Sequence, residues 1–392
     1  MTPLLNQVWQ YLRTLWGQFQ GHLRRWAGTK QEPASSREES SLWSLNDIMR
    51  LAQNPAAVTT SVRSDALSLL PLDAGDPRFI GREKELSDLL AALEGWRSGR
   101  PTMAVVSGPQ GSGITSLVNQ LQLHIRPEET LKRECLRQRF CNEQDVFALV
   151  ARLFDLQDPP HDASTLSERL NELPGRILFI DDAHYLASRL YGERDAVRSL
   201  GAIMVATQGR HLWLLGCRQQ AWRRMGYTHH ADQFFSHAIT LNYFNAVELT
   251  NFIAARTGAA GDEQTELAPA IIQRLQSLSL GKPDLLLLYL LSGALQDAAA
   301  LRPLDTSVFK QLEMEEKFTL AELAVHGSLT VVEHQHIFRL SPEDSQLRLN
   351  QLCNMGLAER GHATTGSSVY YRILPMVTAH LYEHLYKSNY LY

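Results

Sequence analysis

Near the start of the chain the apolar side chains Leu5, Trp9, Leu12, Trp16, Phe19, Leu23 and Trp26 recur at alternating spacings of four and three. On an α-helix that spacing gathers them into one stripe and leaves Gln7, Gln10, Arg13, Thr14, Gln18 and Arg24 largely outside it. The pattern predicts an amphipathic helix over residues 1–27, weakened somewhat by Gly17 and Gly21. Residues Gly28 to Ser41 are polar and contain Pro33, so they read as a linker. Short helical patches such as Leu45 to Ala52 continue it to residue 75. Beyond that point the period changes. Met103 to Ser107, Arg176 to Asp181, His211 to Arg218 and His237 to Leu241 are short, nearly continuous apolar runs. Runs of that length, alternating with amphipathic segments, predict an α/β core with a parallel sheet covered on both faces. The core is expected over 76–242, a helical segment over 243–305 and a final α+β unit over 306–392. In that last unit helices are expected at Val308 to His326, Val331 to Phe338 and Pro342 to Met355. Strands follow on either side of a tip at His362 to Ser367, and a closing helix at Pro375 to Tyr386.

Composition narrows the function classes. The chain has 392 residues and 44% hydrophobic content, ample for about two or three domains. A formal net charge of −4 argues against a protein that coats nucleic acid by charge alone. Cys135, Cys141, Cys217 and Cys353 are scattered, without C-x-x-C or metal-ligand spacing, and read as reduced thiols. No run approaches the length of a spanning helix and no cleavable signal pattern appears. The expected location is cytoplasmic, or peripheral to the inner face of a membrane. Three tryptophans on the apolar stripe and arginines beside it suit a helix lying in a membrane interface through residues 4–26. The same spacing suits docking on partner helices or on the protein's own body.

The chemistry concentrates after the first apolar run. Gly108, Gly111, Ser112, Gly113, Ile114 and Thr115 trace the phosphate-loop pattern G-x-x-x-x-G-K-[ST], with Ile114 where the lysine belongs. A glycine-rich turn between strand and helix aims backbone amides at phosphates, and Thr115 is placed to ligate magnesium. Downstream, the apolar run from Arg176 ends in Asp181 and Asp182. The first carboxylate is expected near the magnesium shell, the second beside the attacking water. Thr115 and Asp181 are therefore the metal candidates, and Asp182 a catalytic one.

Taken in order, these segments resemble the AAA+/STAND group of P-loop ATPases, in particular its origin-recognition-like and transposition-targeting branches. The resemblance rests on Phe79-Ile-Gly-Arg-Glu83, the loop, the Asp181–Asp182 strand, Leu214 to Arg218, Leu241 to Arg256, and Gly281-Lys-Pro-Asp284 in the lid. It covers roughly residues 76 to 300. It implies a parallel P-loop NTPase sheet with helical lid, followed by a winged-helix domain, and ATP or ADP with Mg2+ as cofactors. It adds Gly81, Arg82 and Lys282 to the nucleotide-binding candidates and, as a match to the strand-end arginine of some members, Arg218 to the catalytic ones. Two departures weaken the chemistry it implies. Ile114 removes the phosphate-contacting lysine, and Asp284 stands where the family commonly carries an arginine sensor, so an acid faces the γ-phosphate. Leu374-Pro375 likewise replaces a histidine-bearing element expected after the wing. The alternative for Lys282 is a solvated lid lysine, and for Arg218 a surface arginine opening a basic turn with Arg223 and Arg224.

The expected function is a catalytically degenerate, ATP-binding regulatory or scaffolding subunit, with hydrolysis slow or absent. A protein partner or homo-oligomer is expected. The helix Pro342 to Met355 offers Arg348 against Glu343 and Asp344, which disfavours nucleic acid. The competing reading is an active ATP-dependent loader or remodeller on DNA, supported by Thr115, Asp181 and Asp182. A STAND-type signal switch would need a sensor of repeats, and no internal repeat is visible.

Overall fold

A computed structural model describes residue 42 and residues 71–140, 142–187, 193–257, 269–291, 301–362 and 369–391. The expected helix at 1–27 and most of the segment 28–75 lie outside the described residues. Five parallel strands form the core: β1 (Met103–Gly108), β2 (Thr130–Cys135), β3 (Arg176–Asp181), β4 (Leu212–Arg218) and β5 (His237–Thr240), in the order β2-β3-β4-β1-β5. β1 is buried along its whole length, as a strand between two neighbours and two helical layers must be.

The alternation of side chains along each strand divides the core in two. Met103 and Val105 of β1, Leu178 and Ile180 of β3, and Trp213 and Leu215 of β4 join one apolar cluster. Ala104 and Val106, Ile177 and Phe179, and Leu212 and Leu214 join the other. The second face is covered by α1 (Glu83–Arg97) and the short α2 (Ile114–Gln120), through Leu89, Leu93, Leu117 and Val118. The first is covered by α3 (Glu143–Phe154), α4 (Ala163–Glu172), α5 (Glu193–Thr207) and α6 (Gln219–His229). Trp213 is fully buried there, and its indole N–H donates to Thr207 Oγ1 at 2.9 Å, so a large apolar area is hidden without stranding a polar atom.

The lid holds α7 (Ala246–Thr257), α8 (Pro269–Ser279) and α9 (Pro283–Leu291). The C-terminal unit holds α10 (Ser307–Lys310), α11 (Met314–His326), α12 (Val331–Phe338), α13 (Pro342–Asn354) and α14 (Thr378–Lys387), with a sheet β6-β8-β7. Its strands are β6 (Leu329–Thr330), β7 (Ala358–His362) and β8 (Val369–Ile373), all antiparallel. Lid and C-terminal unit share one apolar core, running from Phe244, Leu249 and Leu286 through Leu320 and Leu352 to Leu385.

Three local expectations need correcting. The helix expected from Val308 to His326 is two helices, because Glu313 caps the second: its backbone N–H donates to Glu316 at 2.9 Å in a capping box. The closing helix begins at Thr378 rather than Pro375, whose backbone is used elsewhere. Strand β2 was not expected, since its Lys132, Arg133 and Glu134 hide the apolar pattern. No helix among the described residues is long and apolar enough to cross a membrane.

Candidate functional site

The loop between β1 and α2 is shaped by glycines at two demanding places. Gly113 caps α2 at φ 94°, in the left-handed region that side-chain-bearing residues avoid. A Cβ on Gly108 would fall 2.4 Å from Ser112 Oγ, so only glycine lets the loop fold back on the strand. The Ser112 N–H turns inward to the Pro109 carbonyl at 3.1 Å. The parity of β3 then decides what meets the loop. Asp181 shares a face with Ile177 and Phe179, the face on which α2 lies, and Thr115 Oγ1 donates to Asp181 Oδ2 at 2.8 Å. The sequence pairing of Thr115 with Asp181 is thus realised as direct contact.

Around this point lies a cavity of about 460 Å³, within the range of small-molecule sites. Gly108, Gly111, Ser112, Gly113, Ile114 and Thr115 line it, with Arg82, Asp181, Asp182 and Arg218. Phe79, Ile80, Phe244, Phe252 and Leu287 give it an apolar wall. Ser112 Oγ is buried without a hydrogen-bond partner, inside the loop that faces the cavity. A buried hydroxyl left unpaired is costly unless something else satisfies it, so loop, cavity and Ser112 fit a phosphate-bearing ligand.

Ile114 has turned to the sheet. It packs against the buried cluster of Leu117 and Phe179, and its Cγ2 would meet a Cβ on Gly216 at 3.1 Å. The lysine position is therefore filled by hydrocarbon beside Asp181. Arg82 is 5% exposed and holds the loop from behind. Its guanidinium donates to the carbonyls of Asn242 at 2.5 Å and Ser112 at 3.4 Å and stacks over Phe244 at 5.1 Å. Gly81 does not line the cavity; its Cα faces Glu248.

The lid pair differs from expectation. Lys282 is not a solvated lysine: it is fully buried, lies 2.7 Å from Asp284 Oδ2, and donates to the Pro375 carbonyl. It does not line the cavity, whereas Asp284 and Pro375 do. The Asp284 charge is thus balanced inside the protein, close to Gly111, before any ligand is considered. Arg218 is half-buried at the end of β4, donates to Gln110 Oε1 of the loop at 3.2 Å and hydrogen-bonds the Tyr382 hydroxyl. Arg223 reaches Tyr386 Oη at 2.9 Å and Arg224 clamps both Glu322 oxygens at 2.9 Å. The basic run is no solvated turn; it docks the C-terminal unit.

Asp182 sits at φ 56° with its carboxyl raised from the usual value, chiefly by burial and then by the Asp181 charge, with Arg218 opposing. Cys135 Sγ lies 3.3 Å from Asp182 Oδ2, and burial pushes that thiol up to about 12. Asp181 is more fully occupied. Its Oδ1 accepts the Asp182 N–H at 3.0 Å, while its Oδ2 accepts from Thr115 and, at 2.7 Å, from Arg133 Nη2. A magnesium ion does not fit this arrangement, because a guanidinium already lies against the oxygen it would need. Among the described residues no group of three or more His, Cys, Asp or Glu is disposed to hold a metal. Gln110 lines the cavity, while Arg133 and Asn119 support Asp181 without lining it; the sequence singled out none of the three.

A phosphate loop after an interior strand, a threonine on the following helix and an acid at the end of a parallel strand define a P-loop nucleotide-binding fold. Residues 78–215 match the family described as the AAA ATPase domain. Comparison with curated protein sequences gives no match. Among solved structures, the Aeropyrum pernix ORC2 protein in ADPNP–ADP complexes is similar at 14% identity, covering 83% of this chain and 97% of that one, TM-score 0.45. CDC6P from Pyrobaculum aerophilum is similar at 16% identity, covering 84% and 100%, TM-score 0.42. The Aeropyrum pernix ORC1 protein in complex with DNA is similar at 14% identity, covering 85% and 99%, TM-score 0.44. Likeness of this degree says nothing of what the present chain binds. It lends no support to the expectation against nucleic acid.

Proposed function

We propose that the protein is an ATP- or ADP-binding regulatory or scaffolding subunit whose P-loop site hydrolyses nucleotide slowly or not at all. The observation that carries this reading is Ile114, whose side chain occupies the lysine position and packs into the sheet. Transition-state stabilisation in phosphoryl transfer is mainly electrostatic, and this site lacks that cation at the loop. The lid does not replace it, because Lys282 is spent on Asp284 and Pro375. What is retained serves binding: the glycine loop, the buried Ser112 hydroxyl and the apolar wall of Phe79, Phe244 and Phe252.

In this reading the C-terminal helices and three-stranded sheet form a winged-helix domain used for protein packing. The N-terminal segment, through residues 4–26, attaches the subunit to a membrane surface or to a partner. The test is calorimetry with ATP and ADP, alongside a phosphate-release assay, on the wild type and on Asp181→Ala. Micromolar binding with no turnover is the expected result. Brisk hydrolysis that disappears in Asp181→Ala would overturn it and favour an active loader, a reading supported by the direct Thr115–Asp181 contact.

A further inference from the structure

The walls of the cavity carry their charges unevenly. Arg82 lies over the Phe244 ring at 5.1 Å and Arg256 over the Phe252 ring at 5.0 Å, and the two rings are 5.2 Å apart. Arg78, paired with Asp76, stands near enough to Arg256 for the two charges to interact. Three lining guanidiniums thus accompany the aromatic wall. The end formed by β3, β4 and the first half of the loop is different. Asp181 ends β3 and Asp182 follows it, Arg218 ends β4 in register with Gly108, and Asp284 of α9 lies beside Gly111. Among the described residues, three carboxylates and one guanidinium line this end. Asp284 is the carboxylate next to the loop itself. Its Oδ1 is buried, accepts no hydrogen bond, and would lie 3.9 Å from a Cβ on Gly111. The Lys282 stem comes within 3.7 Å of the same point, but its ammonium is committed to Asp284 Oδ2 and the Pro375 carbonyl. Of that pair only Asp284 lines the cavity. A carboxylate oxygen left without a donor calls for a donor, not for a second oxyanion.

We propose that Asp284 makes the cavity selective for a nucleoside diphosphate over the triphosphate, by holding a carboxylate against the loop where a third phosphate would have to lie. The inference rests on the reading of the cavity as a nucleotide site and adds which nucleotide it holds. A base laid on Phe79 and Phe252 sends its phosphates along the loop, away from the arginines of the aromatic wall. Gln110 and Gly111 mark the far end, since Arg218 reaches Gln110 Oε1 at 3.2 Å and the Tyr243 hydroxyl donates to the Gln110 carbonyl at 3.0 Å. Each phosphate added to the chain therefore moves further among carboxylates, and like charges at contact in a partly buried site repel strongly. Arg218 does not reverse the sign there, because its charge is already set against that of Asp182. Nor does Arg82, which is committed to the Asn242 and Ser112 carbonyls and donates to Glu85 at 3.3 Å. The substitution in the loop acts in the same direction. Neither Ile114 nor Asp284 meets the added charge with a cation, so the triphosphate is disfavoured by a repulsive contact as well as by a missing attractive one.

The experiment is isothermal titration of the full chain with ADP and with the ATP analogue that carries an imido β–γ bridge, in one Mg2+ buffer, repeated on Asp284→Asn. The wild type is expected to bind ADP at least about tenfold more tightly than the analogue. Asp284→Asn is expected to bring the two within about threefold, chiefly by tightening the analogue. A wild type that binds the analogue as tightly as ADP, or more tightly, overturns the proposal and leaves the nucleotide reading standing. A preference for ADP that persists unchanged in Asp284→Asn overturns the role of Asp284. If neither nucleotide binds, the nucleotide reading fails and the selectivity falls with it. Asp284→Asn leaves the buried Lys282 ammonium without its counter-charge, so folding is checked by far-ultraviolet circular dichroism. Should it not fold, the double variant Lys282→Gln with Asp284→Asn removes both charges at once and is held to the same threefold expectation.

Discussion

At the residue scale, the proposed nucleotide reading bears most directly on Ser112. Its hydroxyl is buried and unpartnered, so in the free protein it is a liability. Ser112→Ala is expected to leave stability unchanged or raise it by about 1 kcal/mol. The same change is expected to weaken ATP or ADP binding about tenfold. Urea denaturation and calorimetry on one preparation check both. A variant that is less stable yet binds normally would show that Ser112 serves the fold alone. Ser112 and its neighbours were legible in the sequence because a phosphate loop is a local object, written in consecutive residues. Arg133 was not, because its meaning depends on a strand register that joins it to Phe179, far away in the chain. Lys282 was misjudged for a similar reason: its partners include the carbonyl of Pro375, in another domain.

At the element scale, α11 carries Glu322 and His326 on the side that meets α6. His326 Nε2 lies 3.1 Å from Glu322 Oε2, and Arg139 Nη1 lies 3.0 Å from Nδ1, so a neutral ring with its proton on Nε2 satisfies both contacts. Burial, with the nearby arginines, holds His326 down at about 4 despite the raising effect of Glu322. His334 of α12, also buried, is likewise held at about 4, and its Nε2 pairs with Thr319 Oγ1 at 3.1 Å. The unfolded chain takes up these protons first, as pH falls below about 6.5. Stability is therefore fully present above that pH and is lost as pH falls towards 4, by at most roughly 3 kcal/mol for each such histidine. Urea midpoints measured across that window are expected to drop steeply, and His334→Gln to flatten the slope. A flat profile in the wild type would contradict the buried neutral rings. The helices themselves were legible from period, since α12 and α13 fall within a residue of where the spacing put them. Strand β2 was lost because an edge strand has a solvent side, and its Lys132, Arg133 and Glu134 obscure the apolar alternation.

At the scale of the whole molecule, apolar packing continues across the expected boundary at residue 305. Leu286 and Leu290 of the lid belong to the same apolar core as Leu320, Leu352 and Leu381 of the C-terminal unit. The P-loop core is tied to that unit by Arg139 on Glu333 and the Ser328 carbonyl, and by Arg224 on Glu322. Differential scanning calorimetry is expected to give one cooperative transition for lid and C-terminal unit together, shifted upward by nucleotide. Two resolved transitions assignable to these units would separate them after all. The sheet and its order follow from patterns that repeat over a few residues. The joint between units does not, because it is made of single side chains that cross from one segment to another.

The carbonyl of Pro375 bears on any attempt to cut and recombine this chain. Pro375 lines the cavity and receives the buried ammonium of Lys282, which in turn balances Asp284 beside Gly111. Remove everything after the lid, or graft another terminal domain in its place, and an ammonium loses its acceptor at the wall of the cavity. The terminal domain is thus no interchangeable cassette: part of the chamber's own masonry is borrowed from it.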